Sequence, residues 1–86
     1  MSTPPLAVAI LQALAEEGAG AVSLPRLGKR LQLEASTVMR QLSLMGSARI
    51  GGQAGPGWVQ VEHVGERWMV RLTEAGLAQA GRIAAP

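Results

Sequence analysis

Residues 24–45 read L-P-R-L-G-K-R-L-Q-L-E-A-S-T-V-M-R-Q-L-S-L-M, and the spacing of their apolar positions decides the fold. Leu24, Leu27 and Leu31 recur at i, i+3, i+7, one face of a short helix that turns Arg26, Lys29 and Arg30 the other way. Ser23 stands where an N-cap belongs, and this helix is expected to end near Gln32. After a turn at Gln32–Glu34, Val38, Leu42 and Met45 recur at i, i+4, i+7, which predicts a second helix over residues 35–47. Its opposite side carries Ser36, Arg40, Ser43 and Ser47, a stripe of hydroxyls around one arginine. Two helices joined this closely bury both apolar stripes together only by crossing at a large angle, the helix-turn-helix arrangement.

Upstream, Ser2 or Thr3 before Pro4 is a helix-start signal, and the run Pro5 to Glu17 ends before Gly18 and Gly20. Leu6, Ile10 and Leu14 form one stripe of this helix, and Val8, Leu11 and Ala15 form another. A helix apolar on two sides is either central to its own fold or meets a second subunit there. Ala21 and Val22 suit a very short strand. Downstream, the glycine-rich run from Gly51 to Gly57 reads as a flexible loop.

Residues 58–72 then read as a β-hairpin. Gly65–Glu66 suits a Gly-first two-residue turn, which pairs His63 with Trp68, Val61 with Val70 and Val59 with Leu72. That register places Trp68 on the inward face, in the core, and opposes to it the chain's lone histidine as a packed imidazole. Trp58, beside the glycine-rich loop, either closes the core edge or helps form a dimer. Thr73 caps a last weak helix, from Glu74 to about Ile83, interrupted by Gly76 and Gly81.

The chain has 86 residues, enough for one domain over 1–86, with a net charge of +2 and a mean hydropathy of +0.19. Charged residues are 16%, too few for a disordered chain. The charge is uneven. Residues 1–25 carry Glu16 and Glu17 and no cation, whereas residues 26–49 carry Arg26, Lys29, Arg30, Arg40 and Arg49 against Glu34 alone. Such asymmetry fits a polyanion-binding face or a solvated helix pair.

With no Cys and one His, neither a disulfide scaffold nor a thiolate metal site can form. Glu62 and Glu66 have no nucleophile or base constellation around them, and the glycine-rich run lacks the lysine of a phosphate loop. No enzymatic activity, cofactor or metal is expected. No apolar run reaches the ~20 residues of a membrane helix, and no basic leader precedes one, so a cytoplasmic protein is expected.

The segment L-G-K-R-L-Q-L-E-A-S-T-V-M-R-Q-L, Leu27 to Leu42, resembles the helix-turn-helix of bacterial transcription regulators of the MarR and ArsR type. The segment R-W-M-V-R-L-T-E-A-G, Arg67 to Gly76, is similar to the strand that leaves their wing and the helix that follows it. The resemblance covers nearly the whole chain. It implies an α+β, mainly α winged helix-turn-helix: a three-helix core, a β-hairpin wing and a short C-terminal helix. It further implies sequence-specific binding of double-stranded DNA in transcription regulation, and a homodimer is expected from the second apolar stripe of the first helix and the modest core. The helix 35–47 would read the major groove through Arg40, with Ser36, Thr37, Gln41 and Ser43 as shorter contacts. Arg26, Lys29 and Arg30 would straddle the phosphate backbone, and Arg67 and Arg71, flanking the hairpin turn, would reach phosphate or an adjacent minor groove. The competing expectation is a winged-helix protein-interaction module without DNA binding, favoured by Glu34 at the start of the reading helix and by the exposed position of Leu44.

Overall fold

Pro5 opens the first helix, where its missing N–H interrupts no hydrogen bond. α1 spans Pro5–Glu17, with Pro4 at the N-cap and Gly18, at φ 90°, ending it. The computed structural model describes residues 4–84 apart from residues 19, 48, 51 and 52, so the hydroxyl caps expected at Ser2 or Thr3 lie outside the described residues. Ala7, Ile10, Leu11, Ala13 and Leu14 of α1 are buried. The helix touches α2 (Leu24–Leu31), α3 (Ala35–Met45), α4 (Glu74–Ala84) and the strand β5 (Arg67–Leu72). It is central to its own fold through Ile10, Leu11 and Leu14, while Val8 of the second stripe is half-buried and Ala15 is exposed.

β1 is the short strand Val22–Ser23, and Ser23 caps α2 by accepting from the Arg26 amide at 3.3 Å. Leu24 and Leu27 are buried and Leu31 packs at the core margin, as their spacing predicts. The turn after α2 is a Schellman closure. Gln32 sits at φ 58°, its amide bonding to the Lys29 carbonyl, while the Leu33 amide bonds to the Gly28 carbonyl at 2.9 Å. Gly28 leaves room for this return, since a Cβ there would lie 3.0 Å from the Leu33 oxygen.

α3 buries Val38, Leu42 and Met45 as expected, but it ends at Met45 and not at residue 47. Gly46 turns to extended backbone (φ −80°, ψ −168°). The Met45 and Gly46 carbonyls accept from Trp58 (2.7 Å) and Gly57 (3.0 Å), so the returning chain takes the acceptors that face out of the helix end. Ser47 therefore lies beyond the helix. The expected flexible loop is also partly ordered into strands. β2 (Arg49–Ile50) pairs antiparallel with β3 (Gln53–Ala54), Arg49 opposite Ala54 and Ile50 opposite Gln53. Gly55 then passes so close to Gly46 that a side chain there would collide with the Gly46 carbonyl.

The hairpin of β4 (Val59–Val64) and β5 has the register read from sequence: Val59 opposite Leu72, Val61 opposite Val70, His63 opposite Trp68. Gly65 carries the positive φ, 63°, that a Gly-first turn requires. β1 pairs on the other edge of β5, giving an antiparallel sheet in the order β1-β5-β4. Val59 and Val70 are buried, and Val61 and Leu72 pack at the core margin. Trp68 corrects the expectation of a core role. It is 42% exposed, because the ladder runs on past the core, and its ring stacks on the exposed His63 at 4.4 Å and 18°. Trp58 is partly buried against the core and closes its edge.

Thr73 caps α4 as expected, accepting from the Gly76 amide at 3.1 Å while its hydroxyl donates to the Gly57 carbonyl at 2.5 Å. Gly76 is a packing requirement here, since a side chain would collide with the Trp58 carbonyl. Ala80 is buried, and α4 packs on α1. The described residues thus form a mixed α+β, mainly helical architecture of four helices with a three-stranded antiparallel sheet, compatible with the expected winged helix.

Candidate nucleic-acid interface

Burial of Val38, Leu42 and Met45 turns the opposite side of α3 outward. Ser36, Thr37, Arg40 and Ser43 are exposed there, and Gln41 is half-buried. No acidic residue occurs within α3. Arg40 has no hydrogen-bond or ion-pair partner among the described residues, so its five donors are available. The Ser43 hydroxyl donates to the Met39 carbonyl at 3.0 Å, which leaves its oxygen free to accept.

Beside this face lies an open groove of about 330 Å³ between α3 and β4, bordered by Met39, Ser43, Ser47, Gln60 and Val61. Ser47, lost from the helix, remains on its rim. Neither Gln60 nor the groove follows from the periodicity of α3. The alternation along β4 places Gln60 outward, but its position beside α3 depends on how the hairpin folds back.

The three cations of α2 are not equivalent. Arg26 donates from Nε (3.2 Å) and Nη2 (3.3 Å) to the Glu17 carboxylate, and Arg30 donates to Glu17 at 3.4 Å and pairs with Glu16. Only Lys29 points outward without an ion pair among the described residues. The −2 of α1 and the basic excess of α2, separate in sequence, meet in space.

The hairpin arginines also differ. Arg67 flanks the turn opposite Val64 and has no partner among the described residues. It borders a recess of about 270 Å³ shared with Glu17, Ser23 and Arg26, so hairpin and α2 cations face common space. Arg71 lies at the hairpin base instead, bound to the Gln60 amide oxygen (3.1 and 2.6 Å), whose NH₂ in turn donates to Glu62 at 3.3 Å. Among the described residues no cluster of His, Asp or Glu could hold a metal, and no helix is long and apolar enough to cross a membrane.

No protein-family model and no curated protein matches this chain. A solved structure does. The chain is similar to a protein of Ralstonia eutropha JMP134 designated a "putative DNA-binding protein", at 29% identity and a TM-score of 0.76. The similarity covers 98% of this chain and 100% of that one. It spans the whole architecture, hairpin and C-terminal helix included, so the two chains share a fold along their full lengths.

Proposed function

We infer that the chain is a winged helix-turn-helix protein that binds double-stranded DNA, with α3 in the major groove and the β4–β5 hairpin as the wing. The observation that carries the reading is the exposed α3 face, where hydroxyls surround Arg40, which has no partner among the described residues, with no carboxylate within the helix. A bidentate guanidinium suits the O6/N7 edge of guanine, and the short side chains let the helix approach the base pairs. Lys29 and Arg67, also without ion pairs among the described residues, would position the phosphate backbone on either side. The full-length likeness to a protein designated DNA-binding supports the same reading.

The resemblance to MarR- and ArsR-type regulators extends the proposal to sequence-specific transcription regulation by a cytoplasmic homodimer without catalytic activity. Two copies would read half-sites about one helical turn apart. Sedimentation at micromolar concentration should give twice the chain mass, and a monomer there excludes the dimer.

The test of DNA binding is fluorescence anisotropy with a mixed-sequence duplex at two salt concentrations. Binding at low salt that falls steeply as salt is added marks counterion release from phosphate. An absence of binding even at low salt defeats the reading. It would favour the protein-interaction module, for which the ion-paired Arg26 and Arg30 and the 52% exposure of Leu44 on α3 speak.

A further inference from the structure

Glu16 and Glu17 occupy the last turn of α1, where the helix dipole disfavours carboxylates, and no basic residue accompanies them in that turn. Their compensation comes from α2. The Glu17 side chain, 19% exposed, receives the forked guanidinium of Arg26 through two bonds and a third bond from Arg30. Glu16 holds Arg30 from its other side. Arg26 and Arg30 are four residues apart on the outward line of α2, the spacing that would let both reach a phosphate strand. Two carboxylates offset two guanidiniums there, and an arrangement costly for α1 alone persists because of this cross-helix contact.

We propose that Glu16 and Glu17 act as an internal phosphate mimic that withholds Arg26 and Arg30 from the DNA backbone. The contact surface is thereby restricted to α3, Lys29 and the hairpin. This inference rests on the DNA-binding reading. Phosphate contacts strengthen binding to every sequence alike, and non-specific binding consists almost entirely of them. Neutralising two such contacts lowers the sequence-independent share of the affinity and leaves base reading to Arg40. Exposed ion pairs are weak, but the effect does not require rigid pairing, because two negative charges beside the arginines cancel their attraction for phosphate at close range.

The experiment compares the wild-type protein with the double variant Glu16→Gln/Glu17→Gln on a mixed-sequence duplex and on a heparin column. Two extra phosphate contacts steepen the salt dependence, so between roughly 50 and 200 mM salt the variant should lose about tenfold more affinity than the wild type. It should also leave heparin at higher salt. Adding Arg26→Gln/Arg30→Gln to this background should return the slope to the wild-type value, since the gain depends on the released arginines. Coincident curves for wild type and double variant overturn the proposal. So does a gain that persists without the arginines, or a wild-type slope that falls by two contacts when the arginines alone are replaced. If the double variant melts early, Glu16→Gln alone must still move the slope in the same direction. A wild type that binds no duplex defeats the DNA-binding reading and this inference with it, whereas coincident curves on a duplex that the wild type does bind defeat this inference alone.

Discussion

α2 and α3 present matching faces inward and opposite faces outward. Inward, Leu27 and Leu42 are almost fully buried and fill one core. Outward, α2 has three cations in its sequence and α3 only one, so α2 looks the better ligand for a polyanion. The folded chain removes that advantage, because Arg26 and Arg30 are held by Glu17 and Glu16, which leaves one cation without an ion pair among the described residues on each helix, Lys29 on α2 and Arg40 on α3. A tally of charge along the chain does not give the field at a surface. What counts is which opposite charges the fold carries to the same place.

The inward equivalence is the costliest to break. Leu27→Ala and Leu42→Ala each remove a buried side chain at a helix crossing and should destabilise the protein by roughly 2–5 kcal/mol. Urea denaturation of both variants checks this, with similar falls in midpoint expected. A cost below about 1 kcal/mol for either, against the usual Leu→Ala range, would mean that one stripe is not a full partner in the core.

The outward difference is sharpened by pairing a change on each helix. Arg40→Ala should reduce discrimination between the preferred duplex and a mismatched one by about 1–3 kcal/mol. Lys29→Ala should weaken all duplexes alike and lower the salt slope by about 0.9, one phosphate contact. The sequence alone assigns that uniform loss as readily to Arg30, but Arg30 is engaged with Glu16 and Glu17. Competition anisotropy against specific and scrambled duplexes separates the two effects. Equal losses on all sequences from both substitutions would remove the groove assignment of α3.

Much of this fold is legible before any coordinates, and what is legible is local. The Ser23 and Thr73 caps, the stripes Leu24–Leu31 and Val38–Met45, and the His63–Trp68 register each follow from residues close in the chain. The rest depends on distance through space. Register gives the face of Trp68 but not its depth, and the strand outruns the core. Gly46 ends α3 because Gly57 and Trp58, a dozen residues on, take the last carbonyls. Arg49–Ile50 finds Gln53–Ala54 where the glycines suggest only a loop. In the candidate site, the polar residues of α3 are found where their periodicity puts them. The pairing of Arg26 and Arg30 is not, since it needs the end of α1 to lie beside α2. The correction at Arg71 is similar, for it sits at the hairpin base against Gln60 and not beside the turn.

The two helix starts extend the comparison to smaller energies. α2 has a hydroxyl cap and α3 has none, although both N-cap residues share the same extended backbone, φ −68° at Ser23 and −69° at Glu34. Ser23→Ala leaves the Arg26 amide without its side-chain acceptor and should cost about 1 kcal/mol. Thermal melting of this variant should show a clear fall in Tm, and an unchanged Tm would mean that water replaces the cap without penalty.

Glu34→Ser is the converse and the smallest change. The Glu34 carbonyl already accepts from the Thr37 and Val38 amides at 3.1 Å, but its side chain makes no capping bond, so an amide of the first turn lacks a side-chain acceptor. A serine hydroxyl at the same φ and ψ can take that place, as Ser23 does for α2. The gain is offset in part because the carboxylate, though too long to cap, still interacts favourably with the positive end of the helix. A net stabilisation of about 0.5 kcal/mol is expected, below the usual value of a cap for that reason. It should appear as a higher urea midpoint with an unchanged slope. The same substitution removes a negative charge from the edge of the face proposed to meet DNA, so duplex affinity at low salt should rise as stability does. A variant that gains stability but not affinity would place Glu34 outside the phosphate path. One that gains affinity but not stability would show the dipole interaction to be worth as much as a hydroxyl cap.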